Sequence, residues 1–179
     1  MFVLPCRVSR ALNTQSLWLR QLVGLLMTIC LLGSAAAQAA VDLVKVDKSK
    51  RQMYLYDGEQ LVRQFSIALG GQPQGHKQQE GDQKTPEGRY VLDAINEQSS
   101  YYRSMHVSYP NAEDTARAKA RGVSPGGMIM VHGQRNGAGW LAGLTQQFDW
   151  TDGCIALSND EMDEFLRLVK VGTPIEIQW

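Results

Sequence analysis

His132 and Cys154 are the residues whose types and surroundings could make and break an acyl bond. Three cysteines occur, at positions 6, 30 and 154. Cys6 and Cys30 fall in an N-terminal stretch that reads as an export signal, which leaves Cys154 as the one thiol expected in the mature chain. An exported chain with a single thiol makes no internal disulfide, so Cys154 is either an inert core residue or a reagent. Free cysteines are often buried as small hydrophobes. The surroundings favour the reagent: Cys154 sits in Thr151-Asp152-Gly153-Cys154-Ile155-Ala156-Leu157, downstream of Val131-His132-Gly133. A thiol with an ordinary pKa of about 8.5 is only slightly ionised at neutral pH. An imidazole that takes its proton supplies the nucleophile and later protonates the leaving group. Gly153 allows close backbone approach to a substrate, so its N–H and that of Cys154 are candidates for an oxyanion hole.

The other use of Cys154, His132 and Asp152 is zinc. No C-x-x-C or H-x-x-x-H spacing is present, so no metal site is expected. His106, within Met105-His106-Val107, reads as structural. His76 lies in a polar stretch and reads as solvated or as a lid contact. Arg135, two residues beyond Gly133, is a candidate to grip a carboxylate, and Tyr109, Arg89, Thr151 and Asp152 are further candidate substrate contacts.

The elements that must position these residues are mostly strands. Residues 41–46 and 52–56 are rich in β-branched and aromatic side chains, and Asp57-Gly58 is a hairpin signal. Leu61 to Leu69, Gly88 to Ile95 and Ser104 to Tyr109 continue the pattern. Between them Gly70 to Glu87 is a polar, Gly-rich stretch of 18 residues, a length that marks a functional or mobile loop. Asn111 to Arg121 has helical composition, with Asn111 as cap and Gly122 at its end. After Pro125-Gly126-Gly127, the apolar run Met128 to Val131 predicts a strand buried on both faces, ending at His132. Residues 133–150 mix glycines with Trp140, Leu141, Leu144, Phe148 and Trp150. They read either as a flap over a cleft or as a loop packing its own apolar cluster. Gly153 to Leu157 reads as a short strand. Ser158-Asn159-Asp160-Glu161 is a capping box for a helix whose Met162, Phe165, Leu166 and Val169 share one face. Gly172 ends that helix, and residues 173–177 close the chain as a strand. About eight short strands and two helices predict a mainly β, β-rich α+β domain, a sandwich or barrel rather than a doubly wound sheet.

The export signal rests on Arg7, Arg10 and Arg20, the 11-residue apolar run Leu22 to Leu32, and small residues at 35–40. The run is shorter than the roughly 20 residues that span a bilayer. The expected division is a signal at 1–39 and one domain at 40–179. Loss of three arginines and no acid from a formally neutral chain leaves a mature charge of −3, which offers nucleic acid no electrostatic partner.

Several separate pieces of the chain resemble the L,D-transpeptidase catalytic domain, the YkuD-type family of cell-wall cysteine enzymes. They are Val46-Asp47-Lys48-Ser49 with Met53-Tyr54-Leu55-Tyr56; Gly81-Asp82-Gln83-Lys84-Thr85-Pro86-Glu87-Gly88-Arg89-Tyr90; Ser108-Tyr109-Pro110-Asn111; Ser124-Pro125-Gly126-Gly127; and His132-Gly133 with Gly153-Cys154-Ile155. The resemblance covers residues 41–179. It implies a mixed β-sandwich with peripheral helices and the cysteine in a cleft under a flap. It implies a periplasmic enzyme acting on peptidoglycan stem peptides, with Cys154 as nucleophile, His132 as base and the Gly133 carbonyl orienting the imidazole. The thiolate attacks the meso-diaminopimelate carbonyl of a tetrapeptide stem, expels D-alanine and passes the acyl group to an amine. That amine is another diaminopimelate, the lysine of an outer-membrane lipoprotein, or a free D-amino acid. No cofactor is implied. The chain departs from the family where Asp152 replaces the usual His of [S/T]-H-G-C and Ala156 replaces Arg or Asn. An ionised Asp152 beside the thiol would raise its pKa, and Ala156 removes a substrate contact. Those departures leave a hydrolase on the same scaffold, a carboxypeptidase or a lipoprotein-releasing amidase, as the alternative, and a non-catalytic wall-binding domain as a second one.

Overall fold

The computed structural model describes residues 40–179. The expected export signal at 1–39 lies outside the described residues. Eight strands form one mixed sheet: β1 (Leu43–Asp47), β2 (Gln52–Asp57), β3 (Gln60–Ser66), β4 (Gly88–Ser99), β5 (Tyr102–Val107), β6 (Met130–His132), β7 (Ile155–Ala156) and β8 (Pro174–Gln178), in the order β3-β2-β1-β8-β4-β5-β6-β7. The β1–β8 and β6–β7 pairs are parallel. The other pairs are antiparallel.

The long strand β4 joins two halves: Gly88 to Val91 pair with β8, and Leu92 onward with β5. Two residues past β3, the Ala68 N–H donates to the Ala156 carbonyl (3.0 Å) and the Ala156 N–H to that of Ala68 (2.8 Å). The two ends of the strand order therefore meet, which wraps the sheet around a shared core. That core takes alternate residues from both halves, Val44, Val46, Met53 and Leu55 from one and Met105, Val107, Val131 and Ile155 from the other. Each such side chain contributes about 1.5–3 kcal/mol by leaving water.

Three α-helices are described, α1 (Ala112–Ala120), α2 (Ala142–Thr145) and α3 (Asn159–Leu168), with a 3-10 turn at Gly139–Leu141 leading into α2. Both longer helices start at capping boxes. The Asn111 side chain accepts from the Asp114 N–H, and the Ser158 hydroxyl from the Glu161 N–H. Met162 and Phe165, one turn apart on α3, are fully buried.

Gly70 to Glu87 lacks regular structure yet is pinned throughout. Lys48, fully buried, donates from Nζ to the carbonyls of Gly75 and Thr85 (both 2.8 Å) and to Glu87 Oε1 (2.9 Å). Asp82 accepts from the buried Lys77 Nζ at 2.8 Å and from the N–H groups of Gln78, Gln79 and Lys84. Every donor of Lys48 has a partner, so truncation strands a half-buried carboxylate and two carbonyls. Lys48→Met is expected to lower unfolding free energy by about 2–4 kcal/mol. A urea midpoint within error of wild type would refute this.

Met128 corrects the expected strand 128–131. It stands in the left-handed region (φ 55°), 72 % exposed, two residues after Gly126, which is also at positive φ (73°), and β6 starts two residues later. The 133–150 segment is anchored and carries its aromatics on both sides. Gln134 donates to the Leu157 carbonyl and accepts from the Thr145 hydroxyl, each at 2.7 Å. Asp149 accepts from Arg51 (2.8 Å) and from the Leu69 N–H (3.0 Å). Trp140, Leu144 and Phe148 are exposed.

Candidate active site

Parallel pairing of β6 and β7 places Val131 opposite Ile155 and His132 opposite Ala156. Cys154 precedes β7 by one residue and so lies beside Met130. Strand alternation then puts Met130, His132 and Cys154 on one face, with Val131 and Ile155 buried on the other. His132 and Cys154 line one cavity of about 250 Å³ with Tyr101, Met128, Met130, Trp150 and Asp152.

The His132 ring is fixed. Its Nδ1 lies 2.6 Å from the Gly133 carbonyl oxygen, which can only accept. Nδ1 therefore carries the hydrogen, and Nε2 is left with its lone pair. The rings of Tyr101 and Trp150 flank the imidazole at centroid distances of 4.7 and 5.7 Å. Gly133 must lack a side chain, because a Cβ there would stand 2.8 Å from Asn159 Oδ1 and 2.9 Å from Tyr102 Cβ.

Burial shapes the electrostatics. It pushes His132 below the ordinary imidazole value, against the Gly133 hydrogen bond that raises it. It pushes the Cys154 thiol up. The Met130 N–H acts against that shift and the Asp152 charge adds to it. The resting pair is thus neutral thiol and neutral imidazole at neutral pH, suited to proton transfer during attack rather than to a preformed ion pair. The thiol also lies 3.6 Å from the Met128 carbonyl.

The close approach allowed by Gly153 is to its own chain. A Cβ there would sit 2.6 Å from the Lys84 carbonyl oxygen, and its φ is 127°. Its N–H donates to Thr151 Oγ1 at 3.1 Å, which corrects the expectation that it is free as an oxyanion donor. Among the described residues the Cys154 N–H has no protein acceptor. Thr151 lines the cavity, and its hydroxyl braces the loop by accepting from Gly153 and donating to the Cys154 carbonyl at 2.7 Å. Asp152 is exposed at the cavity wall.

Tyr109 is 3 % exposed and donates to the Pro125 carbonyl (3.0 Å). Burial, helped by the Asp114 charge, pushes its hydroxyl up to about 12. It does not line the cavity, so the expected substrate contact is replaced by a structural one. Neither Arg135 nor Arg89 lines the cavity; Arg89 pairs with Glu176. Ala156 is fully buried and offers no contact surface. His76 is half-buried and held by hydrogen bonds. Its Nδ1 accepts from the Glu87 N–H (2.9 Å), and Nε2 lies 3.1 Å from Asp114 Oδ1. His106 is hydrogen-bonded to Asp93 Oδ1 at 2.6 Å. Among the described residues no three of His, Cys, Asp and Glu converge as a metal-ligand set. Sequence reasoning missed Tyr101 and the two methionines, and placed Trp150 only as a flap aromatic. Their roles depend on contacts across the fold, for which no local signal exists.

Relatives carry the same domain. Over 132 residues the chain is 28 % identical to YafK of Escherichia coli K12, which bears a provisional L,D-transpeptidase name; the match covers 70 % of this chain and 46 % of YafK. The chain thus spans about half the length of the curated relatives it matches. Among solved structures, the helical cell shape determining protein Pgp2 of Campylobacter jejuni superposes with a TM-score of 0.57 at 27 % identity, over 77 % of this chain and 47 % of Pgp2. Bd1075 of Bdellovibrio bacteriovorus gives 0.56 at 25 % identity, over 81 % and 50 %. An L,D-transpeptidase of Mycobacterium smegmatis shares the fold at 18 % identity and a TM-score of 0.50, over 76 % and 58 %. Residues 42–177 match the family described as YkuD, L,D-transpeptidase catalytic domain, and with that match spanning most of its length the chain belongs to that family.

Proposed function

We propose that the protein is a periplasmic peptidoglycan L,D-transpeptidase. The observation that carries the reading is the shared cavity of Cys154 and His132, with the imidazole tautomer fixed by the Gly133 carbonyl so that Nε2 is the free base. Nε2 takes the thiol proton as sulfur attacks the meso-diaminopimelate carbonyl of a tetrapeptide stem. The Cys154 N–H supports the oxyanion. His132 then protonates the departing D-alanine. An amine attacks the thioester, giving a cross-link, a lipoprotein attachment or an exchanged terminal residue.

Hydrolysis on the same scaffold is the second reading, and Asp152 favours it. An exposed carboxylate at the cavity wall repels an incoming acceptor that carries its own carboxylates, whereas water bears no such cost. Mass spectrometry of a tetrapeptide muropeptide incubated with the protein, with and without D-methionine, separates the two. Exchange of D-alanine for D-methionine, or dimer formation, supports transfer. Loss of D-alanine regardless of added amine supports hydrolysis. An unchanged muropeptide overturns both for this substrate.

A further inference from the structure

A second, apolar cavity adjoins the first. Ala94, Ile95, Asn96, His106, Met128 and Met130 line an open groove of about 320 Å³, and Met128 and Met130 line both spaces. Strand register makes them continuous. Ala94 pairs with His106, His106 with Met130, and Cys154 lies beside Met130 in the β6–β7 register. These four residues form one cross-strand row on one face of the sheet, a track leading from the sulfur into the groove.

The lining specifies what fits. It contains no lysine or arginine, and its one titratable residue, His106, is hydrogen-bonded to the Asp93 carboxylate. A side chain bearing a carboxylate would find no lysine or arginine there and would stand near the Asp93 carboxylate that holds His106. The charged stem of the acyl donor is a poor occupant for the same reason. Leaving and entering amines occupy one side of the thioester, since deacylation by an amine is acylation run in reverse. The leaving D-alanine brings only a methyl group, far less than the groove can hold.

We propose that this groove binds the apolar side chain of the amine acceptor, one of about leucine or methionine size. The inference rests on the transpeptidase reading. The neutral amine attacks the Cys154 thioester carbonyl, and the new C–N bond forms as the C–S bond breaks. The displaced amine proton passes through His132 to the sulfur, with no change of oxidation state.

The test follows the partition of the acyl-enzyme among added amines, using the intact protein, a tetrapeptide muropeptide, and glycine, D-leucine, D-methionine, D-glutamate or D-lysine. D-Leucine and D-methionine are expected to react about tenfold or more faster than glycine or D-glutamate. Ile95→Glu, at a position 41 % exposed, is expected to reverse the order of D-leucine and D-lysine. Transfer products whose partition is indifferent to the side chain, or favours D-glutamate, overturn the inference while their formation leaves the reading intact. Absence of any transfer product, with or without an acyl-enzyme, is failure of the reading itself. In that case methyl NMR of Cys154→Ala still decides about the groove. D-Leucine, and not D-glutamate, should shift the methyl signals of Ile95, Met128 and Met130, and unshifted signals overturn the proposal.

Discussion

Cys154→Ser is expected to leave a folded protein that forms no acyl adduct with a tetrapeptide muropeptide and whose turnover falls by at least about 10⁴-fold. The exchange alters one atom at a side chain that is only partly buried, so the packing of Val131, Ile155 and Leu157 behind it is untouched and the melting temperature should move little. The chemistry does not survive the exchange. A hydroxyl is a far weaker acid than a thiol, and His132, itself pushed below the ordinary imidazole value by burial, is too weak a base to compensate. A muropeptide should still bind, because the walls made by Tyr101, Trp150 and the methionines remain. Intact-mass spectrometry after incubation, together with a binding isotherm, checks both halves. Turnover within tenfold of wild type would mean that Cys154 is a packed hydrophobe and that the reaction runs elsewhere.

What was legible in the sequence was local. The turn at Asp57-Gly58 is seen in the structure with Gly58 at φ 58°. The cap at Ser158 and the apolar face of its helix are also seen, since each depends on residues within one turn of each other. Asn111 was readable as a cap, and Asp114, three residues on, completes the box and reaches Tyr90 Oη at 2.9 Å. The shared cavity of His132 and Cys154 was legible at one remove, as two strand ends that would coincide if the strands were neighbours. The tertiary partners were not legible. Lys48 looks like any surface lysine in Asp47-Lys48-Ser49-Lys50, and only the return of Gly75, Thr85 and Glu87 around it makes it a buried tie. The long polar stretch reads as a functional or mobile loop because sequence does not reveal that its carbonyls and N–H groups are paired. Gly153 was read as making room for a substrate. What it makes room for is Lys84, because the 70–87 segment packs against the nucleophile loop.

His132→Gln should lower kcat/KM by about 10²–10⁴-fold near neutral pH and should change the shape of the pH profile as well as its height. In the wild type His132 works in its neutral form. Burial holds it below the ordinary value of 6.5, so the base is fully available at pH 7 and activity is lost only as the pH falls through that lowered value. The acid limb therefore lies below pH 6.5. Glutamine keeps a side-chain amide near the Gly133 carbonyl but cannot take a proton, so the variant must wait for spontaneous ionisation of a thiol that burial and Asp152 push up. Its rate should rise with pH toward that raised thiol value with no imidazole limb, and the wild-type advantage should shrink steadily in alkaline solution. Iodoacetamide alkylation of Cys154 against pH gives the thiol titration independently. An acid limb that persists in the variant, or a wild-type thiol already ionised at pH 6, would place the proton transfer on a group other than His132.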